Sequence, residues 1–284
     1  MALYNIRYET VNNYNSPVNE AYLNFLIIPQ ETEDQHCFNL SIESNHKAEA
    51  QFSETLYGAK AALFRLKGPF ILFELTMTVQ VEKQLWNFPS FKNISIADER
   101  AILEDHIFKV KNKDFIIPTT LTEINANQLP PETFILPSET VFQYVQRINT
   151  FLHYFLSYEA NVTTPITTLP EIIQLRKGVC QDYSHLFIGI MRHNGIPVRY
   201  VSGYLNQGKQ YIGAAAMHAW VEVFVPSIGW LGIDPTNNIF VNEHYIKVAH
   251  GCDYIDCTTV KGVYLSDSGG TTSYSVQITE QQSQ

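Results

Sequence analysis

Cys180, His218 and Asp234 bring a thiol, an imidazole and a carboxylate into one compact stretch of a 284-residue chain. A thiol attacks carbonyl carbon as its thiolate, a neighbouring imidazole can take the proton, and a buried carboxylate fixes the imidazole tautomer and stabilises its charge. The trio in this order predicts acyl transfer through a thioester. Gln181 follows the nucleophile and is a candidate substrate contact. Tyr204 and Trp220 are two more, although plain packing also accounts for both aromatics.

The flanking residues predict rigid elements for all three. Pro170 suits the first turn of a helix through Ile172, Ile173 and Leu175, with Gly178 placed to take a left-handed stop. Cys180 then opens a helix whose apolar stripe is Leu186, Phe187, Ile190 and Met191, and which Gly195 and Pro197 terminate. A helix N-terminus carries unpaired N–H groups and about half a positive charge, which favours thiolate and can hold an oxyanion. Asp182, two residues on, is expected to cap those N–H groups and to face away from the sulfur.

His218 begins the alternating run His-Ala-Trp-Val-Glu-Val-Phe-Val, with Trp230 to Asp234 as the next strand. For His218 and Asp234 to share a face, paired positions on the two strands must sum to an even number. A two-residue turn at Ser227 and Ile228 would pair Pro226 with Gly229 and separate them. The sequence therefore predicts a three- or five-residue connection or a bulge.

Elsewhere, Tyr4 to Thr10, Ala21 to Ile28 and Phe70 to Val81 read as strands. Residues 93–136 are irregular, with Ser95 to Phe108 a possible short helix. Val141 to Phe155 recur at helical spacing behind Ser138 as the expected cap. Thr271 to Ile278 reads as an edge strand, and the last six residues as frayed. The expected organisation is an N-terminal β-sheet domain over 1–95, a junction over 96–136 and a catalytic domain over 137–284.

Four stretches carry a family resemblance: Gly178-Val-Cys-Gln-Asp, Gly195-Ile-Pro-Val-Arg-Tyr-Val-Ser-Gly-Tyr204, His218-Ala-Trp-Val-Glu222 and Gly229-Trp-Leu-Gly-Ile-Asp-Pro-Thr-Asn237. They resemble the bacterial transglutaminase-like family of papain-type cysteine enzymes over roughly residues 170–265. The first 90 or so residues more loosely resemble the β domain that often precedes that core. The resemblance implies an α+β fold, with a helix-borne Cys packed on an antiparallel sheet carrying His and Asp, after an all-β N-terminal domain. It also implies a Cys180-His218-Asp234 triad acting on peptide or carboxamide substrates as a cysteine protease, amidase or transglutaminase. Where the family usually shows Gly-Arg-Asp-Tyr, this chain has Gly251-Cys252-Asp253-Tyr254. A thiol cannot replace a bidentate guanidinium.

Composition narrows the partners. A net charge of −9 without a basic cluster argues against nucleic acid. No apolar run approaches the roughly 18 residues of a membrane span, and the chain opens without a signal-like segment, so a cytoplasmic protein is expected. Four cysteines, at 37, 180, 252 and 257, are too few and uneven for a disulfide framework. Cys252, Cys257, His244 and His250 invite a zinc reading, but their spacing matches no familiar pattern, and neither metal nor cofactor is expected. The expected partner is a peptide or protein substrate, and hydrolysis is favoured over crosslinking because water needs no dedicated site. A catalytically silent scaffold is the rival.

Overall fold

The computed structural model describes residues 1–206, 212, 216–266 and 269–281. Strands β1 (Ala2–Phe25), β2 (Gln35–Ser44), β3 (Gln51–Glu54) and β4 (Lys60–Lys83) come first, then helices α1 (Ile96–Glu104), α2 (His106–Lys111), α3 (Lys113–Ile116) and α4 (Val141–Phe155). Strand β5 (Ser157–Tyr158), α5 (Leu169–Leu175), β6 (Lys177–Gly178) and α6 (Cys180–His193) lead into the second sheet. That sheet uses β7 (Val198–Leu205), β8 (Met217–Val225), β9 (Gly229–Asp234), β10 (Ile239–Phe240) and β11 (Tyr245–Gly251), and the chain ends in β12 (Val260–Leu265) and β13 (Gly270–Gln281).

The first sheet is built on β1 and β4, which pair antiparallel along almost their whole 24-residue lengths. Strict alternation explains why only one face is covered. Tyr4, Ile6 and Tyr8 are at most 2% exposed, while the residues between them are partly or fully exposed. The register slips between Asn13 and Val18, around Pro17, which has no N–H for the ladder.

The predicted split into consecutive domains is corrected by the last two strands. β12 pairs with residues 20–25 of β1 and β13 with residues 3–14, so the chain crosses back to complete the sheet it began. Residues 260–265 and 270–281 therefore belong to the first sheet and not to a catalytic domain running to 284. The Thr271–Ile278 strand lies at that sheet's edge as expected, but residues 279–281 of the tail expected to fray continue it, pairing with residues 3–5 of β1, and residues 282–284 fall outside the described residues.

The second sheet runs β10-β9-β8-β7-β11, all neighbours antiparallel. Its middle strands are covered on both faces, and α6 packs against β7 and β8. Leu186, Phe187, Ile190 and Met191 of α6 are no more than 1% exposed. Such burial is worth about 1.5–3 kcal/mol per side chain. Helix α4 is capped two residues later than expected, by Thr140 in place of Ser138, because Thr140 and Gln143 form the reciprocal cap. Ser95 caps α1 in the same way. No helix among the described residues is long and apolar enough to cross a membrane.

Candidate active site

Cys180 is the first residue of α6 and is partly exposed. The entry into this helix is fixed by Asp182, whose Oδ2 accepts from Val179 N–H at 2.7 Å and from Thr163 Oγ1 at 2.7 Å. Burial raises the Asp182 pKa against these hydrogen bonds. Gly178 is what lets the carboxylate sit there, since a Cβ at that position would lie 2.5 Å from Asp182 Oδ2. The left-handed stop expected of Gly178 falls instead on Arg176, at φ 52°.

The parity argument for the next two residues holds. Val225 pairs with Gly229, leaving the three residues Pro226, Ser227 and Ile228 in the connection, and Gly229 takes φ 106°. His218 and Asp234 thus share a face, and His218 Nε2 meets Asp234 Oδ2 at 2.7 Å with both side chains 0% exposed.

Asp234 is held from several directions. Its Oδ2 also accepts from Asn237 Nδ2 and Tyr245 Oη, each at 2.7 Å, and its Oδ1 from the N–H groups of Thr236 at 2.9 Å and Asn237 at 3.2 Å. Burial alone would raise its pKa, but the His218 charge and these donors lower it. For His218, burial disfavours the charged ring, yet the Asp234 carboxylate and then the Cys180 thiol raise its pKa to about 10. The Asp234 carboxylate thus favours the protonated ring next to the sulfur. Nδ1 lacks a partner of full hydrogen-bond geometry, so the approach to the thiol is loose, as is common before substrate binds.

Cys180, Gln181 and His218 line a cavity of about 580 Å³ between the two sheets. Gln181 donates its Nε2 to Pro165 O at 3.1 Å. The two aromatic candidates do not reach this cavity. Tyr204 is fully buried and donates to Ile27 O at 2.5 Å, joining the sheets. Trp220 is 1% exposed behind the imidazole, edge-on to Tyr245. Both are packing residues, because the even positions of β8 that carry His218 to its partner also carry Trp220 inward.

The opposite wall comes from residues the sequence reading passed over: Tyr8, Asn12 and Tyr14 on β1, and Tyr264 and Tyr274 on the returning strands. Asn237 and Tyr245, which orient Asp234, were also missed, though Asn237 stood inside the quoted motif.

The guanidinium missing at 252 has a counterpart from another element. Arg192, at the end of α6, is 4% exposed and donates to Cys252 O at 2.7 Å, Val198 O at 3.1 Å and Phe115 O at 3.1 Å. It braces the 252 loop against the junction helices. The Cys252 thiol contacts Tyr57 Oη and Asp114 O, both at 3.1 Å. The weighed zinc ligands stay apart: His244 bonds Tyr4 Oη, and Cys257 is buried near Tyr200 O. No group of three or more His, Cys, Asp or Glu positioned for a metal occurs among the described residues.

Comparison with known proteins places both halves of the chain in one family. The model of the transglutaminase-like superfamily matches residues 132–235, and that of the bacterial transglutaminase-like N-terminal region matches residues 4–82. An uncharacterised protein of Mycobacterium tuberculosis is 36% identical over 142 residues, covering 47% of this chain and 45% of its own length. The match thus spans about half of that relative. A protein-glutamine gamma-glutamyltransferase of Pseudomonas aeruginosa is 36% identical over 74 residues, 24% of this chain and 11% of that protein. A crystal structure from Cytophaga hutchinsonii, provisionally described as a cysteine protease, aligns at TM-score 0.80 and 18% identity over 100% of this chain and 92% of that one. With both halves matched in order and the whole fold reproduced, this chain belongs to the transglutaminase-like superfamily, a bacterial-type N-terminal region followed by the papain-like core of cysteine enzymes.

Proposed function

We propose that the protein performs cysteine-dependent acyl transfer on peptide or carboxamide substrates, with water as the acceptor. The observation that carries this reading is the 2.7 Å bond from His218 Nε2 to Asp234 Oδ2, which leaves Nδ1 for the Cys180 thiol beside an open cavity. A structural histidine gains nothing from such a sulfur.

In this mechanism the Cys180 thiolate attacks the carbonyl carbon, and the carbonyl electron pair moves onto oxygen. The N–H groups at the start of α6 receive that oxyanion. His218, charged and fixed by Asp234, gives its proton to the departing amine, and the C–N bond breaks to leave a thioester on Cys180. Water then attacks the thioester while the neutral ring takes its proton, releasing a carboxylic acid and the thiolate. An amine in place of water would give an isopeptide bond with the same residues. Hydrolysis is preferred because the described cavity wall carries no acidic side chain to hold a lysine ammonium.

Iodoacetamide at neutral pH is expected to label Cys180 faster than a free model thiol, and His218→Ala to remove that advantage. Equal rates for all three would end the reading. With a dansylated amine and a glutamine-rich protein, released ammonia or peptide fragments without dansyl incorporation mark a hydrolase.

A further inference from the structure

Asn12 is 4% exposed, yet its Oδ1 is buried without a hydrogen-bond partner, and Tyr8, 0% exposed, has its Oη in the same condition. The Tyr8 hydroxyl lies near that of Thr10, which itself donates to Ser273 O at 3.0 Å. Buried polar atoms are nearly always satisfied, and Tyr8 and Asn12, two of the three exceptions on β1 beside Asn24, call for a reason. Both side chains line the cavity that holds Cys180.

Their position relative to the sulfur is set by β13. Register pairs Thr10 with Tyr274 and Asn12 with Thr272, so all four sit on one face with Tyr8. Tyr8 stacks on Tyr274 with ring centroids 5.9 Å apart, and Tyr274 lines the same cavity as Cys180. The described cavity wall contains no Asp, Glu, Lys or Arg. A carboxamide offers both acceptor and donors, and a phenol offers a donor, which together complement a neutral amide.

We propose that Tyr8 and Asn12, on the first strand of the N-terminal sheet, form the subsite that holds an uncharged peptide amide of the acyl donor beside the bond Cys180 attacks. This rests on the acyl-transfer reading and gives the N-terminal sheet its part in it. The acyl donor is then a neutral stretch of polypeptide and neither a free amino acid nor a charged terminus. Tyr8 and Asn12 are positioning residues and take no part in proton transfer.

The test uses the full chain carrying Cys180→Ala, so that binding is read without turnover. Titration of the ¹⁵N-labelled protein with N-acetyl-Ala-Ala-Gln-Ala-Ala-amide is expected to move the Asn12 side-chain NH₂ signal saturably, that signal being identified by its loss in Asn12→Ala. The dissociation constant should rise about tenfold in Asn12→Ala and about threefold in Tyr8→Phe, whose fold should survive loss of one hydroxyl. Replacing one backbone amide of the peptide by an ester should reproduce the tenfold loss at a single position. A stationary Asn12 signal, or equal binding in both variants, overturns the subsite. A reactive Cys180 with a silent Asn12 sinks this inference and spares the triad reading, whereas a responsive Asn12 beside an inert Cys180 does the reverse.

Discussion

The two sheets bury their polar groups under different rules. The first is largely apolar on its covered face, and its ion pairs reach the surface: Arg7 with Glu9 and Arg65 with Glu20 have every partner at least 38% exposed, and buried Lys83 pairs at 2.8 Å with Asp34, itself 55% exposed. The second carries its charges inside. Glu222 takes Lys247 Nζ at 2.8 Å and Arg199 Nε at 2.6 Å, the three side chains at most 19% exposed, and Arg199 also lies over Trp230 at 4.2 Å. Burial would raise the Glu222 pKa, but the two cations lower it to about 2. The lesson concerns cost: an exposed ion pair can be lost almost without effect, whereas removing one member of a buried set strands the others. The sheet that fixes His218 and Asp234 is the one stiffened by such sets.

That contrast can be broken at graded strength. The largest effect is expected from Glu222→Ala, which leaves Lys247 and Arg199 buried without their carboxylate and should lower unfolding free energy by about 3–5 kcal/mol in urea titration. Arg65→Ala in the first sheet should leave the melting temperature unchanged, and equal losses in the two variants would erase the distinction.

Acid comes next. His185 is 0% exposed and burial lowers its pKa to about 4, against the pull of Asp253; its Nε2 accepts from Tyr254 N–H at 3.2 Å. The folded ring is thus neutral, while an unfolded one takes a proton below pH about 6.5. This contribution is present above 6.5, falls as pH drops towards 4, and totals about 3 kcal/mol. Urea midpoints measured over that window should decline, and should decline less in His185→Gln. A smaller loss is expected at the seam, where Tyr204→Phe deletes the bond to Ile27 O and should cost about 1 kcal/mol.

What the sequence disclosed was what neighbouring residues determine. Cys180 at a helix start, the three-residue connection before Gly229 and the stop at Gly195 all follow from local chemistry, and each is present. Tyr204 and Trp220 misled because a buried aromatic and a cleft aromatic look alike on an alternating strand; only the partner across the fold separates them. Asn12 was silent for the opposite reason. A lone polar residue on an alternating strand gives no sign that its even position faces inward until Tyr4, Ile6 and Tyr8 are seen buried on the same side. The return of β12 and β13 was equally hidden, since pairing across the length of the chain leaves no mark in either segment.

That return has a consequence for how the molecule comes into being. Thr10 and its bonding partner Ser273 are 263 positions apart, so β1 leaves the ribosome with one edge bare and keeps it bare until β13 has been made. Contacts so distant along the chain close slowly and expose a sticky margin in the meantime. The wall facing the sulfur is therefore completed only after β12 and β13 follow Cys180, and a nascent chain that has only just displayed the thiol has no finished cleft in which to use it.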